Sequence, residues 1–93
     1  MEQPLKIYYK SKILNLRCET VYQSDQITRV KVWGRNRHIV LQNNIPYLNA
    51  TGKKGKVNWK LIEGEMYSDE LLSVIINELE RRWKQQNSMS TEY

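Results

Sequence analysis

The sequence has few of the residues that small proteins use for covalent cross-links and for chemistry. It contains one cysteine, one histidine, four glycines and two prolines, and no phenylalanine, among 93 residues. A single cysteine excludes an internal disulfide, which suits a chain that folds in a reducing compartment. One histidine and one cysteine are also too few for the three or four ligands of a typical metal site. We therefore predict no metal and no cofactor.

Long apolar runs are missing too. No stretch approaches the roughly 18 residues that a membrane-spanning helix needs, and the first residues, Met1 to Pro4, lack the apolar core of a secretory signal. The sequence therefore predicts a cytoplasmic protein with no membrane partner. The length corresponds to one small domain. We expect residues 1–86 to form it and the polar residues 87–93 to be a frayed tail.

Acidic residues are absent from the middle of the chain. The net charge is +5, yet no aspartate or glutamate occurs from Gln26 to Ile62. That stretch holds eight basic residues: Arg29, Lys31, Arg35, Arg37, Lys53, Lys54, Lys56 and Lys60. A basic segment of this kind is typical of proteins that bind polyanions.

Alternating apolar residues predict antiparallel strands over about residues 5–62. Odd positions are apolar at Ile7 and Tyr9, whereas even positions are apolar at Leu14, Leu16 and Cys18. Because strand side chains alternate with a period of two, this change of parity requires a turn or bulge near residues 10–12. The same parity places Cys18 in the core.

A second hairpin is predicted around Gly34–Arg37. With Arg35 and Asn36 as the turn residues, Val32 pairs with Ile39 and Val30 with Leu41, which puts four aliphatic residues on one face. After it, Pro46 cannot donate to a ladder, so any strand at residues 47–48 is expected at an edge. A further strand is predicted over residues 57–62, ended by Gly64.

The last part of the chain has the pattern of an amphipathic helix. Its apolar residues recur at helical spacing: Leu71, Leu72, Ile75, Ile76, Leu79 and Trp83. Ser68 is a suitable N-cap, and we predict a helix over about residues 69–86. The fold class follows as α+β: an antiparallel meander of five or six strands with this helix on its apolar face. A sheet curled into a partly open barrel, plugged by the helix, is the alternative.

The first candidate site is the lysine-rich stretch Gly52-Lys53-Lys54-Gly55-Lys56. It lacks the spacing of a P-loop, and a strand rather than a helix follows it. Its Gly-x-x-Gly tetrad matches the loop by which KH modules hold a nucleic-acid backbone, but those loops join two helices. The alternative is a soluble connector whose glycines supply positive φ.

The second candidate is the polar face of the Gly34 hairpin. Basic residues surround the facing pair Trp33 and His38, and they are Arg29, Lys31, Arg35 and Arg37. Phosphates pair with such cations and bases stack on such a ring. The alternative is an ordinary solvated strand face, on which basic residues also discourage edge pairing.

We predict a binding module that is not an enzyme, because no convergent set of titratable groups is present. Cys18 and His38 are a poor nucleophile and base, since a core cysteine is usually inert. The first hypothesis is weak binding of DNA or RNA through residues 26–62. The second is contact with another protein, or with itself, through an edge strand or through Leu79 and Trp83 at the end of the helix. The alternative is that Trp83 closes the core, since an amphipathic stripe usually faces it.

Overall fold

The computed structural model describes residues 2–52 and 57–91, and the side chains of those residues up to residue 82. In chain order the elements are β1 (Gln3–Tyr9), β2 (Lys12–Gln23), β3 (Thr28–Trp33), β4 (His38–Asn43), α1 (Ile45–Thr51), β5 (Trp59–Glu63) and α2 (Asp69–Thr91).

The five strands form one antiparallel meander. Each strand pairs with its neighbours in the sequence, in the order β1-β2-β3-β4-β5. The sheet does not close into a barrel, so β1 and β5 are its edges. The predicted α+β class, with a meander and a C-terminal helix, is confirmed, and the barrel alternative is not.

The β1–β2 hairpin explains the change of parity. Tyr9 pairs with Lys12, which leaves a two-residue turn of Lys10 and Ser11. Both have positive φ, 50° and 61°. Such a turn matches the right-handed twist of the strands, although glycine or asparagine usually occupies it.

The β3–β4 hairpin has the predicted register. Val32 pairs with Ile39 and Val30 with Leu41, and all four side chains are buried. The amide of Gly34 donates to the carbonyl of Arg37 at 3.0 Å, which closes the turn.

Residues 45–51 correct the expectation of an edge strand at Tyr47-Leu48, because they form helix α1. Pro46 lies in the first turn of this helix, where its missing N–H costs nothing and its fixed φ suits the helix. The Oδ1 atom of Asn43 accepts from the Ile45 amide at 2.9 Å, and Gly52, with φ 66°, ends the helix. The sheet therefore has five strands rather than six.

Helix α2 begins at the predicted residue. The Ser68 hydroxyl accepts from the Leu71 amide at 3.1 Å, as an N-cap does. The helix ends at Thr91, beyond the predicted end near residue 86. Ile75 and Leu79 are each 1% exposed and lie in the core.

The core lies between α2 and one face of the sheet. It contains Leu5, Ile7, Cys18, Val30, Val32, Ile39, Leu41, Ile75 and Leu79. Two hydrogen bonds join α2 to the edge strands: the Tyr9 hydroxyl lies 3.1 Å from Ser68 Oγ, and Trp59 Nε1 donates to Glu80 Oε1 at 2.8 Å. The helix therefore crosses from β1 to β5 and covers one face. We call the other the helix-free face.

Gly64, just after β5, is predicted to tolerate no side chain. Its φ is +87°, and a Cβ there would overlap the His38 carbonyl oxygen, whereas Gly52, at φ +66°, has open space around it. We expect Gly64→Ala to lower the free energy of unfolding by about 2–4 kcal/mol, from strain and backbone clash together. Gly52→Ala is the control, because it carries the strain alone, about 1 kcal/mol. Equal losses in urea denaturation would contradict the clash.

The turn of Lys10 and Ser11 is predicted to be a weak point that can be improved. Replacing the pair by Asn-Gly removes the steric cost of two positive-φ residues, and the free energy of unfolding should rise by about 0.5–1 kcal/mol. In thermal denaturation this corresponds to a melting temperature a few degrees higher, at about 4–8 °C per kcal/mol for a domain of this size. A lower melting temperature would mean that the Lys10 and Ser11 side chains contribute more than their backbone costs.

Candidate polyanion-binding surface

The helix-free face carries the polar residues of the central hairpin. Arg29, Lys31 and Trp33 alternate with the buried residues Thr28, Val30 and Val32 along β3, so they lie on this face. Each of these three residues has cross-strand partners on the neighbouring strands, and we call each set of partners a row. The rows differ sharply in charge.

The row nearest the β3–β4 turn has its basic groups paired with acids. Trp33 faces His38 as predicted, with Arg17 on the other side. His38 Nε2 lies 2.7 Å from Glu63 Oε2, and Arg17 forms an ion pair with Glu2. Carboxylates from outside the acid-free stretch therefore reach this row and reduce its attraction for an anion.

The middle row carries both signs. Lys31 lies between Glu19 on β2 and Val40 on β4, and Glu63 of β5 pairs with Val40. The Lys31 ammonium lies 5.6 Å from the centre of the Trp33 ring. With two carboxylates to one ammonium this row is net acidic, so it is a poor place for the main contacts with an anion.

The third row contains no acidic residue. It runs from Tyr22 on β2 through Arg29 and Gln42 to Lys60 on β5. Arg29 Nε donates to Gln42 Oε1 at 3.0 Å, and its guanidinium lies 5.1 Å from the centre of the Tyr22 ring. Within the described residues no carboxylate pairs with Arg29 or Lys60. We call Tyr22, Arg29 and Lys60 the basic end.

A β-bulge places Tyr22 in this row, and sequence reasoning missed it. The register shifts between Thr20 and Tyr22, so that Val21 is the extra residue and Tyr22 pairs with Arg29. Simple alternation from Cys18 would have placed Tyr22 on the core face. Its side chain is instead 48% exposed. No turn residue in the sequence signals the bulge, although an isolated tyrosine beside a polar segment is consistent with it.

The lysine-rich stretch lies between α1 and β5 in the chain. Its residues Lys53, Lys54 and Lys56 lie outside the described residues. The chain enters it at Gly52, after α1, and returns at Val57, just before β5. The Asn58 amide donates to Asn44 Oδ1 at 2.8 Å, which holds the start of β5 beside the start of α1. The described residues that follow the stretch, Val57 and Asn58, are thus fixed two to three positions before Lys60 in the chain.

Arg35 and Arg37 lie at the opposite end of the same hairpin. Arg29 and Trp33, the last residue of β3, are four positions apart, which corresponds to about 13 Å along the strand, and Arg35 lies beyond Trp33 in the turn. The Arg37 guanidinium lies 5.1 Å from the centre of the Tyr67 ring, just before α2. The structure therefore divides the sequence-predicted cations into two groups rather than one patch.

The predicted partner contact at the end of α2 needs a correction. Leu79 is 1% exposed and packs in the core, because its position on the helix points to the sheet together with Ile75. It is not available to a partner while the helix lies in place. The side chain of Trp83 lies outside the described residues.

The remaining chemistry of the described residues is sparse. Cys18 lies on the core face and His38 on the helix-free face, so the two do not form a nucleophile and base. Residues 2–52 and 57–91 contain no group of three His, Cys, Asp or Glu side chains placed to hold a metal ion. Across the same ranges, no helix is both long enough and apolar enough to cross a membrane.

Comparison with known proteins gives no further guide to the site. The chain matches no protein-family model, no curated protein and no solved structure.

The reactivity of the buried Cys18 reports on transient opening of the fold, in which α2 separates from the sheet. Burial raises the pKa of the Cys18 thiol, and the charge of Arg82 offsets this only in part. The thiol is therefore neutral at pH 8, and alkylation by iodoacetamide must wait for an opening of the fold. We expect labelling at least about a hundredfold slower than in the denatured chain. Equal rates in buffer and in urea would contradict the burial of Cys18.

Proposed function

We propose that this protein binds single-stranded nucleic acid weakly and without sequence preference, through the basic end and the adjoining lysine-rich stretch. The observation that carries the proposal is the acid-free row, in which an exposed tyrosine lies beside a guanidinium that has no carboxylate partner among the described residues.

Phosphate groups suit the cations of this row. Gln42 occupies the Nε–H of Arg29, so the terminal N–H groups of the guanidinium are free of described protein partners. A planar guanidinium held in this way loses little freedom on binding and can donate two parallel hydrogen bonds to a phosphate. Lys60 is exposed on β5, at the far end of the same row. The lysines at 53, 54 and 56 precede Lys60 closely in the chain and add three further positive charges.

Tyr22 supplies a surface for a base. Its ring is half exposed, and the Arg29 guanidinium fixes it from one side. Base–aromatic stacking contributes about 1–3 kcal/mol per base and accepts every base, because each has a π-face. An unpaired base reaches such a ring, whereas a base inside a duplex does not. The basic end also lies on β-strands rather than on a helix that would enter a groove.

The protein-interaction hypothesis stays as the second candidate, on a different surface. Tyr8 and Ile13 face one another across β1 and β2, and they are 70% and 53% exposed. This apolar pair lies on the edge hairpin, where a partner strand would add. Such an interface would survive high salt, whereas nucleic-acid binding would not.

The test is the anisotropy of labelled single-stranded DNA and RNA at low and moderate salt, for four variants. Replacing Lys53, Lys54 and Lys56 by glutamine should weaken binding and reduce the salt slope by about 0.7 for each phosphate interaction that the substitutions remove. Arg29→Gln with Lys60→Gln should do the same. Tyr22→Leu should weaken binding about 5- to 100-fold, by loss of stacking, with no change of slope.

The matched control removes two charges from the far end of the hairpin. Arg35→Gln with Arg37→Gln changes the net charge as much as the Arg29–Lys60 double variant, so it measures the contribution of overall charge alone. We expect it to weaken binding less. Equal losses in the two double variants, or no binding by the parent protein even at low salt, would contradict the proposal.

A further inference from the structure

A cleft of about 450 Å³ lies at the end of the sheet that carries the β3–β4 turn. The turn forms one side, the segment before α2 forms another, and the first turns of α2 close the floor. Its walls are apolar, formed mainly by Leu14, Leu16, Val32, Ile39, Leu71 and Ile75. None of the residues that carry the nucleic-acid proposal lines it.

The geometry of the strands accounts for the cleft. The β1–β2 hairpin extends past the β3–β4 turn, since Arg17 already pairs with Trp33, the last residue of β3. Leu14 and Leu16 of this extension face α2 without a strand beyond them. Leu16 packs against Gly34 of the turn so closely that a Cβ on Gly34 would lie 3.2 Å from Leu16 Cδ2, so the turn reaches Leu16 but adds no side chain at Gly34 to the cleft. The space between extension, turn and helix is left unfilled.

The rim of the cleft is basic on balance. Arg35 and Arg37 line it from the turn, and Glu65 is the carboxylate among the described lining residues. Glu65 accepts a hydrogen bond from the Tyr67 hydroxyl at 2.7 Å, and Arg37 packs over the Tyr67 ring. Within the described residues neither arginine pairs with a carboxylate.

We propose that this cleft binds a small amphipathic carboxylate, with its aliphatic chain against the apolar walls and its carboxylate on Arg35 and Arg37. Leucine, valine and isoleucine walls favour a saturated chain, because they offer it no polar partner. A guanidinium at the mouth matches a carboxylate in shape and charge. The volume falls within the range of small-molecule sites, about 300–1,000 Å³.

The first experiment is an NMR titration of the labelled full chain with octanoate, hexanoate and octanol. We expect octanoate to shift the amides of the cleft, including Leu16, Gly34 and Ile39. Each methylene group buried in an apolar site should strengthen binding about fourfold, so octanoate should bind at least about tenfold more tightly than hexanoate. Octanol, which has the same chain without the charge, should bind more weakly than octanoate.

Variants measure the contribution of Arg35 and Arg37 to octanoate binding separately from that of the apolar walls. Arg35→Gln with Arg37→Gln should weaken octanoate binding about tenfold or more and leave octanol binding as it was. Both side chains are exposed, so the fold should persist, which the amide spectrum checks. Lys6→Gln with Lys60→Gln removes the same charge from the helix-free face, and octanoate should still bind. Glu65→Gln should strengthen octanoate binding, since it removes the opposing charge from the rim.

Several outcomes would overturn the proposal. These are no shift of the cleft amides at millimolar octanoate, shifts confined to the exposed Tyr8–Ile13 pair, or equal affinities for octanoate and octanol that the arginine variant leaves unchanged. Because the nucleic-acid surface lies at the other end of the sheet, the Arg29–Lys60 variant can lose nucleic-acid binding while octanoate binding persists. Failure of one proposal is thus distinguishable from failure of the other.

Discussion

The rest of the structure depends on one constraint: a single amphipathic helix must cover the apolar face of a five-stranded sheet. Ile75 and Leu79 lie at the centre of that contact, and hydrogen bonds from Tyr9 and Trp59 join the helix to both edge strands. Because α2 lies on one face of the sheet, the helix-free face is open to solvent. Because one helix is also narrower than five strands, α2 leaves a cleft beside its first turns, at the extended end of the β1–β2 hairpin.

Two β-bulges determine which side chains lie on the helix-free face. The bulge at Val21 moves Tyr22 onto this face beside Arg29, and the bulge at Ile62 pairs Glu63 with Val40, within reach of His38. The first adds an aromatic surface at one end, and the second adds an acid at the other. A stretch of sequence that has no acidic residue thus folds into two separate groups of cations: the basic end, and Arg35 with Arg37 at the β3–β4 turn.

Structural features that depend on neighbouring residues in the chain could be predicted from the sequence. Alternation fixed the register of the β3–β4 hairpin, and the Ser68 cap with its apolar spacing fixed the start of α2. Features set by tertiary contacts could not be predicted. Pro46 is compatible with an edge strand and with the first turn of a helix, and the Asn43 side chain, buried beside it, selects the helix. Bulges leave no composition signal, so Tyr22 and Glu63 were missed. Helical periodicity alone could not say whether Leu79 faced the core or a partner.

The most direct measurement of the binding surface is an NMR map of the labelled protein titrated with a short single-stranded oligonucleotide at low salt. Binding at the basic end predicts that the perturbed amides cluster at Tyr22, Arg29, Lys60 and the two ends of the lysine-rich stretch, Gly52 and Val57. The perturbations should disappear as salt is added. Shifts centred on the β3–β4 turn at Gly34, or no shifts at all, would contradict it.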